Sequence, residues 1–256
     1  MESERPLILV TNDDSISSKG IRSLYEAVLP FGDIIVIAPD SPQSGMGHAI
    51  TINDPLRMEE VDALGGVGVY SCSGTPVDCV KLGISEVMHQ KPDLIVSGIN
   101  HGANTATNVL YSGTMSAAIE GAMEGIPSIG FSLDSFDPRA DFTVAMKVVE
   151  KIVKEALGNG IPTGNCLNVN IPYVQEEDFK GLKVCRQANA YWEDRFDKRL
   201  DHHNRTYYWL TGDFKDQEEQ TDTDVYWISK GYATVVPTQF DMTAYDIMEK
   251  IENWNI

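Results

Sequence analysis

Leu7-Ile8-Leu9-Val10-Thr11-Asn12-Asp13-Asp14 decides how this chain is read. Its first half is a continuous apolar run rather than an alternation, the pattern of a parallel strand covered on both faces. The polar triplet then stands where that strand ends, and open α/β sheets bind their ligands just beyond the carboxyl ends of their strands. Adjacent carboxylates repel each other, and one raises the other's pKa unless a cation or hydrogen-bond donors offset the repulsion. Hard divalent cations take such oxygens. The alternative is that one Asp caps a helix beginning near Ser18 while the other is solvated. For the pair alone the two readings weigh evenly.

Outward from this strand, the first half of the chain alternates strand and helix signals. Ile21, Leu24, Tyr25 and Val28 have helical spacing within 20–29, and Asp33 to Ala38 reads as a second buried strand stopped at Pro39. Residues 49–72 read as a hairpin-like excursion broken by Pro55 and Gly65-Gly66. A helix follows over 78–89, with Thr75 as N-cap and Pro76 in the first turn. Strands are expected at 94–97 and 128–133, a small-residue helix at 115–123, and an amphipathic helix at 141–157. This alternation predicts an α/β fold with a mostly parallel, helix-covered sheet.

The second half departs from that rhythm. Strands at 167–171 and 182–185 have no crossover helix between them, and a strand at 233–236 and a helix at 244–254 close the chain. Residues 191–225 mix Trp192, Phe196, Tyr207, Tyr208 and Trp209 with many acids. Such a segment buries itself poorly on its own chain, so it reads as an arm packing on another subunit, with a disordered insertion as the rival. Gln217 to Gln220 reads as a solvated loop. The expected organisation is a metal- and phosphate-binding core over 1–190, an arm over 191–225, and a strand and helix returning to the core over 226–256.

Composition narrows the functional classes. At 256 residues and 42% hydrophobic, the chain can build a large core, and no run reaches the roughly 18 apolar residues of a membrane span. Met1 to Pro6 has neither the basic start nor the apolar stretch of a secretion signal, so a cytoplasmic location is expected. Cys72, Cys79, Cys166 and Cys185 form no Cys-x-x-Cys pair and read as reduced core thiols. A net charge of −18 argues against nucleic-acid polymers and anionic membranes as partners. A small phosphorylated ligand stays possible, given a local positive centre such as a metal or a helix N-terminus.

Three more segments fall at expected strand ends. Pro39 to His48 is rich in hydroxyl, amide and glycine, and in isolation is an ordinary turn. Ser97-Gly98-Ile99-Asn100-His101-Gly102-Ala103-Asn104 reads as a loop that brings backbone close to a ligand, with amide oxygens suited to a hard cation. Tyr111-Ser112-Gly113-Thr114 feeds a helix, either as an anion site or as plain N-capping by Ser112 or Thr114. His48 and His101 rank second as proton-transfer groups, and His202 and His203 read as surface residues.

Taken together, these segments resemble the SurE family of metal-dependent nucleotide phosphatases. The likeness is carried by Asn12-Asp13-Asp14, Ala38-Pro39-Asp40 with Gln43-Ser44-Gly45, Gly74 to Val80, and Ser97 to Asn100 with Asn104. Tyr111 to Thr114 with Glu120-Gly121, Leu167 to Pro172, and Gly231-Tyr232 with Pro237, Asp241 and Thr243 extend it over nearly the whole chain. The resemblance implies a three-layer α/β/α Rossmann-like core and a C-terminal arm exchanged between subunits of a dimer or tetramer. It implies hydrolysis of nucleoside 5′- and 3′-monophosphates with magnesium or manganese. It also implies Asp13, Asp14, Ser44 and Asn100 as metal ligands, with the two Asp residues catalytic, and Asn104, Ser112, Gly113 and Thr114 as phosphate contacts. Two departures stand out: Ser15 where the family usually has Gly, and Ser41-Pro42 where it usually has Arg-Asn, which removes a bidentate anion donor.

Two rivals follow from the residues themselves. A haloacid-dehalogenase-type phosphatase needs Asp-x-Asp, but two residues beyond Asp13 stands Ser15. A non-catalytic nucleotide-binding or stress-sensor module needs a glycine-rich phosphate loop after the first strand, yet residues 11–20 hold only Gly20.

Overall fold

The computed structural model describes residues 5–66, 68–217 and 220–254. The first strand, β1, spans Leu7–Thr11, and α1 (Lys19–Val28) follows with Ser18 as its N-cap. Next come β2 (Asp33–Pro39), β3 (Met58–Glu60), β4 (Val69–Cys72) and α2 (Pro76–Leu82). The chain continues through β5 (Leu94–His101), α3 (Gly113–Met123), β6 (Ser128–Asp134), α4 (Thr143–Asn159), β7 (Asn165–Pro172) and β8 (Leu182–Val184). It closes with β9 (Ala190–Leu200), β10 (Thr206–Asp216), α5 (Asp224–Ser229), β11 (Ala233–Gln239) and α6 (Tyr245–Glu252).

The main sheet runs β3-β4-β2-β1-β5-β6-β7-β11-β8. Its centre, from β4 to β7, is parallel throughout, while β3 and β11 pair antiparallel with their neighbours β4 and β7. Alternate residues of β1 serve opposite faces. Ile8 and Val10 pack with Leu24 and Val28 of α1 and with Val148 and Ile152 of α4. Leu9 packs the other way, with Cys79 and Val80 of α2 and Ala117 of α3. Each fully buried Ile, Leu or Val contributes about 1.5–3 kcal/mol, so the two faces together make a three-layer α/β/α core. β1 lies between β2, its successor along the chain, and β5, to which the chain later returns. That reversal of winding direction opens a crevice at the carboxyl ends of β1 and β5, the topological switch point.

Several elements differ from the sequence expectation, each for a local reason. Residues 98–101, read as loop, belong to β5, whose pairing with β6 resumes after a register shift between Ser97 and Asn100. Gly98 permits that bulge: its φ is +128°, and a Cβ there would lie 2.3 Å from the Phe131 carbonyl oxygen. The helix expected to reach His89 is α-helical only to Leu82, then widens into a π-helical stretch over Gly83–Met88. The closing helix forms, but none of its residues is buried, so the return to the core is made by β11 alone. Of the expected solvated loop at 217–220, Glu218 and Glu219 lie outside the described residues.

Residues 190–216 form a two-stranded antiparallel ribbon, β9 with β10, separate from the main sheet. Its far part is open to solvent, with Phe196 69% and Trp209 58% exposed. Its base is tied to the core. The Thr107 hydroxyl donates to the Ala190 carbonyl, and the Trp192 indole N–H donates to Asn108 Oδ1 at 3.0 Å. Asp224 fastens the same junction from below. Fully buried, it accepts from the backbone N–H groups of Ala106, Ala188 and Val225 at 2.8–2.9 Å. Ala106 has φ +51°, which a non-glycine residue holds only when its surroundings impose it. Asp224→Ala leaves three donors without that acceptor, and we expect a loss of about 3 kcal/mol, a fall in Tm of roughly 10 °C. Calorimetry checks this; a shift of a degree or two would remove Asp224 from its role as the fastener.

Candidate active site

The crevice at the switch point gathers residues from four separate stretches of the chain. Asp13 follows β1 directly and is 4% exposed, although it is a carboxylate. Burial pushes its pKa up to about 6. A hydrogen bond from the Thr114 side chain opposes the rise and the charge of Asp14 adds to it. The Thr114 hydroxyl donates to Asp13 Oδ1 at 2.5 Å. Asp14 is also raised, chiefly by burial, and accepts from the backbone N–H of His101 at 3.1 Å. The two carboxylates therefore lean on the ends of different elements, Asp13 on α3 and Asp14 on β5.

The approach of Asp13 to α3 is close enough to dictate a residue. A Cβ on Gly113 would lie 2.7 Å from Asp13 Cβ and 2.9 Å from its Oδ2, so only glycine fits. Ser112 caps α3, its Oγ accepting from the Met115 N–H at 3.0 Å. The expected phosphate residues thus divide. Ser112 and Gly113 form the helix start, whereas the Thr114 hydroxyl is committed to Asp13 and cannot serve a phosphate alone. Asn104 is drawn deeper still. Its Nδ2 donates to Ser132 Oγ and its backbone N–H to Asn170 Oδ1, and Asn168 Nδ2 donates to its carbonyl. Asn168 and Asn170 escaped the sequence reading of the site; their alternation in the otherwise apolar 167–171 run is the signal that marks them.

Asn100 lies near the end of β5, and Ser44 lies in the turn that follows β2. The Asn100 amide nitrogen donates to the carbonyls of His101 and Gly102, which turns its Oδ1 away from the backbone. Ser44 lies in an exposed turn, anchored next door by the Gln43 N–H to the Asp13 carbonyl at 2.8 Å. Further along, the Gly47 N–H bonds the Tyr111 carbonyl. The turn therefore spans from Asp13 to the segment leading into α3. Ser15, at φ +88°, holds a backbone conformation that favours glycine, the residue usual there in the resembled family.

The donor set fits a hard cation. Two adjacent carboxylates with raised pKa values, Asp13 buried and Asp14 half-buried, call for a positive partner. Asn12 Oδ1, just after β1, and Ser97 Oγ, within β5, are buried without a hydrogen-bond partner among the described residues. Also among the described residues, no group of three or more His, Cys, Asp or Glu is placed to hold a metal, so neutral serine and asparagine oxygens would have to complete the shell.

The two loop histidines part company. The His101 ring packs edge-on against Phe142 with centroids 5.2 Å apart, and its Nδ1 is buried without a hydrogen-bond partner among the described residues. His48 Nε2 lies 2.9 Å from Oε2 of Glu120, whose other oxygen is bridged by Lys81. Glu120 is 2% exposed on α3 and holds the end of the Ser44 turn. The lysine of this bridge was missed in the sequence because its helix carries no other site residue.

The His48 hydrogen bond, against the opposing effect of burial and with help from Lys81, holds the Glu120 pKa below its usual 4.5. A carboxyl depressed by folding contributes stability that is complete above its unfolded value and is lost as pH falls through the folded one. Wild type should therefore lose stability more steeply than Glu120→Gln as the pH falls through and below 4.5. Urea unfolding at a series of pH values measures the slopes, and parallel slopes would deny Glu120 this share.

Known proteins resemble this chain along nearly its whole length. The family model described as survival protein SurE matches residues 8–194. A 5′-nucleotidase SurE of Christiangramia forsetii is 55% identical, covering 100% of this chain and 99% of the relative. One from Flavobacterium psychrophilum is 54% identical, covering 98% of each. The crystal structure of the SurE protein from Aquifex aeolicus superposes with a TM-score of 0.85 at 40% identity, covering 96% of this chain and 98% of that one.

Proposed function

The chain belongs to the survival protein SurE family, and we propose that it hydrolyses nucleoside monophosphates to nucleoside and phosphate with a divalent metal ion. It is a 5′-nucleotidase, a phosphoric monoester hydrolase, like the relatives that match it along their whole length. The finer reading adds action on 3′ esters and magnesium or manganese as the ion. One observation carries it: two adjacent carboxylates at the switch point, Asp13 buried and pressed against the first turn of a helix, Asp14 half-buried beside it.

Asp13, Asp14, Ser44 and Asn100 would hold the ion. Bound there, it supplies Lewis acidity and neutralises charge on the phosphoryl group. The remaining work falls to the chain. The Thr114 hydroxyl fixes the Asp13 carboxylate so that it faces the crevice in one orientation. The start of α3, from Ser112 to Thr114, aims backbone N–H groups and the positive end of the helix dipole at the phosphate oxygens. Asn104, held by its amide network, lines the deep side of that cradle. Gly113 lets cradle and carboxylates lie within one phosphoryl group of each other.

Asp13→Asn should preserve the fold and cut phosphate release from AMP and GMP by at least about a hundredfold. EDTA should abolish the wild-type rate, and added magnesium or manganese should restore it. A variant within a few-fold of wild type at saturating manganese would take Asp13 out of the metal site.

The division of labour we propose is a metal- and phosphate-binding core over 1–190, an assembly arm over 191–225 and a returning segment over 226–256, in a cytoplasmic homodimer or homotetramer. No helix among the described residues is long and apolar enough to cross a membrane. The exposed aromatics of the ribbon support exchange of the arm with a neighbouring subunit, since Tyr and Trp dominate interface energetics. Replacing residues 193–209 by a short Gly-Ser link should shift the protein toward monomers. Light scattering behind a sizing column reads the mass, and an unchanged mass would exclude the arm as the assembly element.

A further inference from the structure

A cleft of about 690 Å³ opens beside the crevice, between the Ser44 turn, the segment before α3 and the base of the β9–β10 ribbon. Its volume lies within the range of small-molecule sites. Two of its walls adjoin the proposed metal and phosphate residues in sequence: Gly45 follows Ser44, and Tyr111 precedes Ser112. The Gly47 N–H to Tyr111 carbonyl bond ties those walls together. The arm adds the aromatic Tyr191 and Trp192, along with Leu210 and Thr211. Tyr111 is 65% exposed, with no aromatic neighbour stacked upon it among the described residues.

Trp192 is held in position. Its indole N–H is bonded to Asn108, and its ring meets Phe214 edge-on at 5.8 Å between centroids. Asp194 stands two residues on, on the same face of β9, opposite Gly212, whose missing side chain leaves that face clear. Arg195 pairs with Glu193 and Asp213, while Asp194 has no ion-pair partner among the described residues. The cleft therefore offers flat aromatic walls and one carboxylate that can only accept hydrogen bonds.

We propose that this cleft is the base subsite of the nucleotide, with Tyr111 and Trp192 flanking the ring and Asp194 selecting guanine. The proposal rests on the hydrolase reading above. Guanine presents two adjacent donors, N1–H and the N2 amine, which a carboxylate accepts side by side. Adenine presents an acceptor at N1, which the same carboxylate repels. A base stacked on an aromatic wall loses little rotamer freedom in binding. The arm thus has a second duty beyond assembly: its base closes the substrate site of its own chain.

The test compares kcat/KM for GMP, AMP, UMP and ribose 5-phosphate, which has no base, at saturating manganese. GMP should exceed AMP by about fivefold or more, and ribose 5-phosphate by more than tenfold. Trp192→Ala should shrink the ratio of GMP to ribose 5-phosphate. Asp194→Asn is the sharper variant, because an amide can accept from the adenine N6 amine and donate to N1. It should turn the preference toward AMP, a gain that misfolding cannot mimic. Equal rates for GMP and AMP in wild type, or ratios unmoved by both variants, overturn the subsite. Guanosine binding followed by calorimetry separates this from the hydrolase reading. If neither GMP nor ribose 5-phosphate is hydrolysed, binding that is lost in Trp192→Ala upholds the subsite while the hydrolase reading falls. With no turnover, absent binding, or binding unaffected by Trp192→Ala, overturns the subsite.

Discussion

A carboxylate cannot be taken out of water cheaply, and Asp13 is taken almost completely out of it. The rest of the site is arranged around that cost. The Thr114 hydroxyl, the start of α3 and a glycine with no room for a methyl group all meet this one side chain. Together they lower the penalty without cancelling it, which is why the pKa stays near 6. A site left in deficit of positive charge is prepared for a cation, and a cation beside a helix N-terminus is prepared for phosphate.

The sheet topology makes such a site available. Because the chain winds to one side of β1 and then returns to the other, the loops after β1 and β5 diverge and leave a crevice between them. The helices α3 and α2 cover one face, and their charged residues serve the crevice indirectly. Glu120 and Lys81 carry no chemistry, yet they hold His48 and so the far end of the Ser44 turn. An exposed turn thereby gains a buried anchor.

The ribbon follows a different logic. It has too few apolar neighbours to fold by itself, since an isolated two-stranded hairpin is marginal in water. Its order comes from the base, where Asp224, Thr107 and Asn108 tie it to the core. The base is thus held by hydrogen bonds to the core, while the far part is left with exposed aromatics.

Much of this was legible in the residues alone. Apolar runs such as 7–10 and 34–38 read as buried parallel strands, and the polar residues after them as strand ends, so the fold class follows from local pattern. Local pattern is blind to contacts across many residues. That Gly113 is obligatory, that Thr114 serves Asp13 rather than phosphate alone, and that Asn104 sinks into a network with Asn168 and Asn170 depend on strands 60 to 100 residues apart being brought into register. The extension of β5 through Asn100 was hidden because a bulge interrupts the apolar run that marks a strand. Asp224 looked like one acid among many until three backbone donors converged on it. Sequence determines which groups stand at the sheet edge; tertiary packing decides which of them touch, because hydrogen bonds and close contacts are set by distances no spacing along the chain encodes.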